Sequence, residues 1–268
     1  MNGLQHITDT LSKAKASRRA ALMPYFTLGF PSRADSLDVV EAIAAAGADL
    51  IELGVPFSDP LADGPTIQRS TQIALENGIT VKDCLDMVRI LRERGVSLPL
   101  MLMGYYNPVL AYGPDRFTSE ARQVGMDGLI IPDLPLEEAA GFEAACRQNG
   151  LALVYLVAPT TPDERLVKIA AHSTGFVYVV SLNGVTGARA GLSAGLEEFL
   201  LRVRGMTDKP LSVGFGISTP EQAAQVGRMA DGVIVGSALI DIAGKAPHPA
   251  TVVGRFVAEL SKAIRRDV

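Results

Sequence analysis

One carboxylate interrupts an otherwise apolar stretch of this chain. In Asp49-Leu50-Ile51-Glu52-Leu53-Gly54-Val55-Pro56, Glu52 stands between Ile51 and Leu53. If the stretch is a strand of a parallel sheet, both its faces are buried and an unneutralised charge is costly there. Two-residue alternation puts Leu50, Glu52 and Gly54 on one face and Ile51, Leu53 and Val55 on the other. With the glycine-bearing face inward, Glu52 becomes an interior carboxylate close to the strand's C-terminal end. Burial raises such a group's pKa and suits it to proton transfer near neutral pH. The competing account is a core ion pair, but no predicted strand carries a lysine or arginine to complete one.

A second carboxylate, Asp63, follows in the proline-rich segment Pro56-Phe57-Ser58-Asp59-Pro60-Leu61-Ala62-Asp63-Gly64-Pro65. Prolines fix a loop's path and so help to aim a side chain. Taken alone, Asp63 reads as the N-cap of a helix beginning at Gly64-Pro65. Its place at the same rim as Glu52 favours a pair of catalytic carboxylates instead.

Two glycine clusters suggest an anion site. The runs Val213-Gly214-Phe215-Gly216-Ile217-Ser218 and Val235-Gly236-Ser237-Ala238 close the seventh and eighth predicted strands. In barrels of alternating strands and helices, the loops after these strands and the N-terminus of a short extra helix commonly bind phosphate. The segment Ser237–Asp241 supplies a start for such a helix. After the sixth strand, Asn183–Gly195 holds four glycines in thirteen residues and few large apolar anchors. It is expected to be a mobile lid over the substrate, the plainer alternative being an ordinary surface loop.

These residues need a frame, and the alternation of short apolar runs with amphipathic stretches provides it. The runs are Ala20–Leu28, Asp49–Val55, Leu98–Tyr105, Gly128–Asp133, Leu151–Val157, Phe176–Leu182, Pro210–Gly216 and Gly232–Gly236. Helices are predicted over Ala34–Ala46, Val81–Arg94, Asp115–Val124, Leu136–Gln148, Pro162–Ala171, Leu196–Val203, Pro220–Met229 and Ala250–Arg266, with one more, His6–Ala16, ahead of the first strand. Gly47, Gly95, Gly125 and Gly150 sit where left-handed C-caps are expected. Eight units in series predict an α/β fold, a closed (β/α)8 TIM barrel forming a single domain over residues 1–268 with an extra N-terminal helix. An open dinucleotide-binding sheet would show Gly-x-Gly-x-x-Gly after its first strand, where this chain has Thr27-Leu28-Gly29-Phe30-Pro31.

Composition narrows the partners. With 48% hydrophobic residues, 20% charged and a net charge of −4, the chain reads as a folded protein with no nucleic acid or anionic membrane surface as main partner. A phosphorylated small molecule stays compatible, because backbone amides bind phosphate whatever the global charge. The N-terminus lacks a signal-peptide pattern and no apolar run nears the ~18 residues of a membrane span, so the expected location is cytoplasmic. Cys84 and Cys146 read as small buried hydrophobes, and the dispersed His6, His172 and His248 make a metal site unexpected.

The run Leu53-Gly54-Val55-Pro56-Phe57-Ser58-Asp59-Pro60-Leu61-Ala62-Asp63-Gly64-Pro65-Thr66-Ile67-Gln68 resembles the hallmark of the tryptophan synthase alpha chain family. Tyr178-Val179-Val180-Ser181, Gly184-Val185-Thr186-Gly187 and Gly214-Phe215-Gly216-Ile217-Ser218 resemble later blocks in the same order, and Gly29, Pro31, Tyr105-Tyr106-Asn107 and Asp133-Leu134-Pro135 fit as well. The resemblance implies cofactor-free retro-aldol cleavage of indole-3-glycerol phosphate to indole and glyceraldehyde 3-phosphate. It implies Glu52 as general acid/base and Asp63 as acceptor of the indole N–H, with Gly187, Gly216, Gly236 and Ser237 as phosphate donors. Tyr178 and Thr186 would stand near the reacting centre, and Tyr25, Met103, Leu156 and Phe215 would wall the indole. The implied partner is a pyridoxal-phosphate-dependent beta chain in an α2β2 heterotetramer; this chain itself has no lysine at a strand end to hold that cofactor, since Lys168, Lys209, Lys245 and Lys262 fall in predicted helices or loops. Two positions depart from the family pattern: Phe30, at a rim expected to touch the partner, replaces a common acidic residue, and Leu182-Asn183 replaces an Arg-containing pair. The rival readings are another phosphate-binding barrel enzyme and a catalytically idle module that only activates a beta chain; retention of both Glu52 and Asp63 disfavours the second.

Overall fold

The apolar runs become nine parallel strand segments in one sheet: β1 (Ala21–Thr27), β2 (Ile51–Gly54), β3 (Leu100–Met103), β4 (Gly128–Ile130), β5 (Ala152–Val154), β6 (Leu156–Val157), β7 (Val177–Val180), β8 (Leu211–Gly214) and β9 (Gly232–Val235). This computed structural model describes residues 2–181, 192–214 and 216–265. The spatial order β5-β4-β3-β2-β1-β9-β8-β7-β6 begins and ends on the two pieces of one predicted strand, so the sheet curls into a nearly closed barrel. Eight strands were expected; the fifth is cut at Tyr155, whose N–H turns to Ser173 Oγ (3.1 Å) while its carbonyl accepts from Tyr178 N (3.1 Å). At this point the chain leaves β4 as its neighbour and takes up β7.

The helices are α1 (Gly3–Ala16), α2 (Arg33–Ala45), α3 (Pro65–Glu76), α4 (Val81–Glu93), α5 (Tyr106–Tyr112), α6 (Pro114–Gln123), α7 (Ala140–Gln148), α8 (Asp163–His172), α9 (Leu192–Arg204), α10 (Pro220–Met229), α11 (Ser237–Ala243) and α12 (Pro249–Ala263). Local chemistry sets their ends. Thr80 and Asp83 form a reciprocal capping box at α4, and Ser32 and Thr219 cap α2 and α10 through their side chains. Gly47, Gly95, Gly125 and Gly150 all have φ between 65° and 100° just past a helix end, as their positions in the sequence predict. The predicted helix over Leu136–Gln148 is divided into a 3-10 turn, Leu136–Glu138, and α7. The predicted loop Asn183–Gly195 is shortened from its far end, because α9 already begins at Leu192.

Registry places Tyr25, Glu52, Met101, Gly128 and Ala152 at one level across neighbouring strands. The barrel interior alternates large with absent side chains. A Cβ on Gly54 would lie 2.0 Å from the Tyr25 hydroxyl, and one on Gly214 would lie 2.3 Å from that of Tyr178. The two tyrosines therefore fill space that only glycine on the adjacent strand leaves open. At the opposite, N-terminal face, Asp127 ties the structure together: it accepts from Arg92 Nη2 (2.6 Å) and Leu100 N (2.9 Å) and meets His6 Nδ1 of α1 (2.9 Å). That network joins α1, α4 and the start of β3 at the barrel floor. Phe30, expected at a partner-facing rim, instead has its side chain buried beside Phe26, with ring centroids 6.3 Å apart. An apolar ring gains by turning inward where a carboxylate would not.

Candidate active site

A cavity of about 350 Å³ opens at the C-terminal ends of the strands. Its walls come from Tyr25, Met103, Tyr178 and Ile234 on the strands, from Asp63 to Ile67 at the entry to α3, and from the turns Gly216–Ser218 and Gly236–Ala238. Seven residues singled out in the sequence thus meet here: Tyr25, Asp63, Met103, Tyr178, Gly216, Gly236 and Ser237. Leu156 is half-buried in β6, in register with Tyr178, and is not part of this lining. Thr186, Gly187 and Phe215, together with Leu182-Asn183 and the greater part of the expected lid, lie outside the described residues.

Glu52 is not among the residues that line the cavity; it stands in register with Tyr25, which is. The Glu52 side chain is fully buried, and neither carboxylate oxygen has a hydrogen-bond partner among the described residues. The core ion pair weighed above is therefore absent there. Burial without compensation holds the Glu52 pKa well above the usual carboxylate range, which favours its neutral form. The phenols of Tyr25 and Tyr178 are pushed upward mainly by their own burial, and further by the neighbouring carboxyls of Asp63 and Glu52 where these are ionised.

Asp63 is set differently. The N-cap of α3 is Gly64, with Pro65 in the first turn and no side-chain capping bond, so Asp63 is free of the capping role that its spacing also allowed. Its backbone is fixed at both ends, with Asp63 N donating to the Pro60 carbonyl (3.1 Å) and Gln68 Nε2 donating to the Asp63 carbonyl (2.8 Å). The Tyr105 hydroxyl donates to Asp63 Oδ2 (3.0 Å) and accepts from Ala62 N (2.9 Å), while Phe57 packs on the Tyr105 ring. Burial raises the Asp63 pKa against the lowering effect of the Tyr105 bond, leaving it at about 6. Burial thus separates the two carboxyls in acidity, Glu52 raised well above the usual range and Asp63 only to about 6, which is the division that acid/base chemistry needs.

The turn glycines flank the start of α11, whose N-cap is Gly236 with no side-chain capping bond. Thr66 and Arg69 of α3 reach Asp241 of α11 at 3.5 and 2.8 Å, tying the Asp63 loop to this turn. An anion at the turn would meet backbone N–H groups and the positive end of a short helix. Sequence reasoning missed Tyr105 and Ile234. Tyr105 reads as one more aromatic at a strand end, whereas Ile234 could have been found by two-residue alternation between Gly232 and Gly236. Among the described residues there is no cluster of three metal-ligating side chains and no helix long and apolar enough to cross a membrane.

The family model described as "Tryptophan synthase alpha chain" matches residues 11–265. The chain belongs to the tryptophan synthase alpha chain family. It is 57% identical over 238 residues to the tryptophan synthase alpha chain of Chloroflexus aggregans, covering 89% of each chain. With that of Roseiflexus castenholzii the identity is 53% over 262 residues and 98% of each chain. The barrel is similar to the solved tryptophan synthase subunit alpha of Legionella pneumophila, with a TM-score of 0.91, 41% identity and 98% of both chains covered. Membership of this family makes the chain a lyase of the tryptophan synthase type, and a beta chain its partner.

Proposed function

We infer that this chain cleaves indole-3-glycerol phosphate to indole and glyceraldehyde 3-phosphate, with Glu52 and Asp63 as its acid/base pair. The observation that carries the assignment of residues is the contrast between the two carboxyls: Glu52 buried without a partner, Asp63 at the cavity wall and bonded to Tyr105. Neutral Glu52 gives its proton to C3 of the indole, and the positive charge that forms at the ring nitrogen is balanced by ionised Asp63 accepting the N–H hydrogen bond. The resulting Glu52 carboxylate takes the proton of the side-chain hydroxyl next to C3. The bond between C3 and that carbon breaks, the hydroxyl carbon becomes an aldehyde, and Glu52 is neutral again. Protons balance over the cycle, and every step is a proton transfer or charge compensation, so no cofactor is assigned to this chain.

Gly216, Gly236 and Ser237 are proposed to hold the phosphate, joined by Gly187, while Tyr25, Met103, Phe215 and Ile234 enclose the ring and Tyr178 and Thr186 stand by the reacting atoms. Leu156 is kept as a wall only behind Tyr178, its register partner. Indole then passes to a pyridoxal-phosphate-dependent beta chain in a cytoplasmic α2β2 assembly. Residues 1–268 are read as one domain, a reading supported by the single sheet to which every strand segment belongs. The test is product analysis of the purified chain with indole-3-glycerol phosphate, with and without beta chain. Equimolar indole and glyceraldehyde 3-phosphate are expected; absence of both in the presence of saturating beta chain would overturn the assignment.

A further inference from the structure

Tyr25 lines the cavity, its ring lying between Gly236 and Gly54. Near one end a Cβ added to Gly236 would lie 3.3 Å from Tyr25 Cβ, and at the other a Cβ added to Gly54 would lie 2.0 Å from the Tyr25 hydroxyl. That hydroxyl begins a buried series of hydroxyl groups. Tyr25 Oη lies 3.3 Å from Thr27 Oγ1, Thr27 Oγ1 lies 2.7 Å from Ser70 Oγ, and Ser70 Oγ lies 2.8 Å from the Ile67 carbonyl. A carbonyl carries no proton, so Ser70 donates to Ile67. Ser70 has only one proton, so Thr27 must donate to Ser70, and by the same count Tyr25 must donate to Thr27. The direction of all three bonds is fixed from one end. The Tyr25 proton is thereby committed to Thr27, and its oxygen has only lone pairs to offer a further partner.

We propose that Tyr25 is a specificity-determining residue whose oxygen accepts a hydrogen bond from a hydroxyl group on the ligand's carbon side chain. The inference rests on the reading of the cavity as the site of indole-3-glycerol phosphate and assigns one more contact within it. The ring N–H is not the donor involved, because a carboxylate is the stronger acceptor and Tyr105 engages only Oδ2 of Asp63. With that donor taken, the ligand's remaining donors are its side-chain hydroxyls. Tyr25 both lines the cavity and stands in register with Glu52 on the neighbouring strand, which puts its side chain beside the group that exchanges protons with those hydroxyls. A buried acceptor left unpaired penalises a ligand without the donor, so Tyr25 makes the site discriminate against deoxygenated side chains.

The experiment compares Tyr25→Phe with wild type, both with saturating beta chain, on two compounds. Indole-3-glycerol phosphate carries the side-chain hydroxyls; indole-3-propanol phosphate has the same ring, N–H and phosphate without them. For Tyr25→Phe, KM for the first is expected to rise about fivefold to tenfold, the scale of one neutral hydrogen bond, while the inhibition constant of the second stays at the wild-type value or falls as the unpaired acceptor is removed. A thermal melt matching wild type shows that the ring still fills its place. Equal weakening of both compounds would overturn the inference in favour of a contact to the ring, and no change in either would reduce Tyr25 to an apolar wall. A wild-type chain that releases no indole at all would overturn the functional reading itself, a result distinct from either of those.

Discussion

Replacing Glu52 by glutamine should make the stability of this protein less sensitive to alkaline shifts. In the unfolded chain a glutamate titrates at about 4.3, whereas burial raises the folded-state pKa of Glu52 well above the ordinary value. Between these two values the folded protein keeps a proton that the unfolded chain releases. The neutral acid's contribution is therefore fully present below the unfolded pKa and is lost as pH rises toward the folded one. Each pH unit inside that window costs the wild type about 1.4 kcal/mol, and two units roughly 2.7 kcal/mol. Glutamine has nearly the same shape and does not titrate. Asp63, also raised in pKa, is present in both proteins and drops out of the difference. Urea midpoints at pH 5, 6 and 7 on the unliganded chains give the comparison, with Glu52→Gln gaining on wild type at each step. A stability difference that is constant over this range would refute the reasoning, because it would mean that Glu52 ionises as it does in water or has a cation beside it.

Asp63→Asn should abolish most indole release and leave the thermal midpoint within a few degrees of wild type, since Gly64 and not Asp63 caps α3; a sharply lowered midpoint with normal turnover of the folded fraction would restore the capping role. Because Asp63 must be ionised to balance the ring charge, kcat/KM should fall as pH drops through about 6, the value to which burial raises this group. In Tyr105→Phe the bond that lowers the Asp63 pKa is gone. The acid limb of the pH profile should then move to higher pH, with turnover at pH 7 down about tenfold, the scale of a hydrogen bond to a charged group; an unmoved limb would show that Tyr105 only packs. Gly54→Ala places a methyl 2.0 Å from the Tyr25 hydroxyl and should cost about 1–3 kcal/mol of stability as an overpacked interior, read by urea denaturation.

Much of the barrel was legible because parallel strands are buried on both faces and so read as unbroken apolar runs. The same uniformity hides where hydrogen-bond ladders end: the run Leu98–Tyr105 contains a ladder only over Leu100–Met103. The break at Tyr155 was not legible either, since it arises from a change of neighbouring strand and not from any turn residue. Helix α5, Tyr106–Tyr112, escaped notice because its seven residues are too few to show a helical period and include Pro108. At the site, Glu52 stood out as a charge among hydrophobes, and its isolation in the folded chain bears out its placement in the interior. Asp63 had two local explanations that only three-dimensional structure could separate. The Tyr25 hydroxyl, by contrast, depends on Thr27 two residues along the same strand and on Ser70 from a helix that packs there, a meeting that no local pattern announces.

In the proposed cycle a neutral Glu52, in register with Tyr25 of the cavity wall, supplies and recovers the proton of the cleavage. Initial rates of indole release from indole-3-glycerol phosphate at neutral pH, wild type against Glu52→Gln with saturating beta chain, test it most directly. The glutamine side chain fills the same space but cannot exchange a proton, so its rate should fall by about 10²-fold or more while its affinity for indole-3-propanol phosphate is kept. A Glu52→Gln chain that releases indole at close to the wild-type rate would contradict the account.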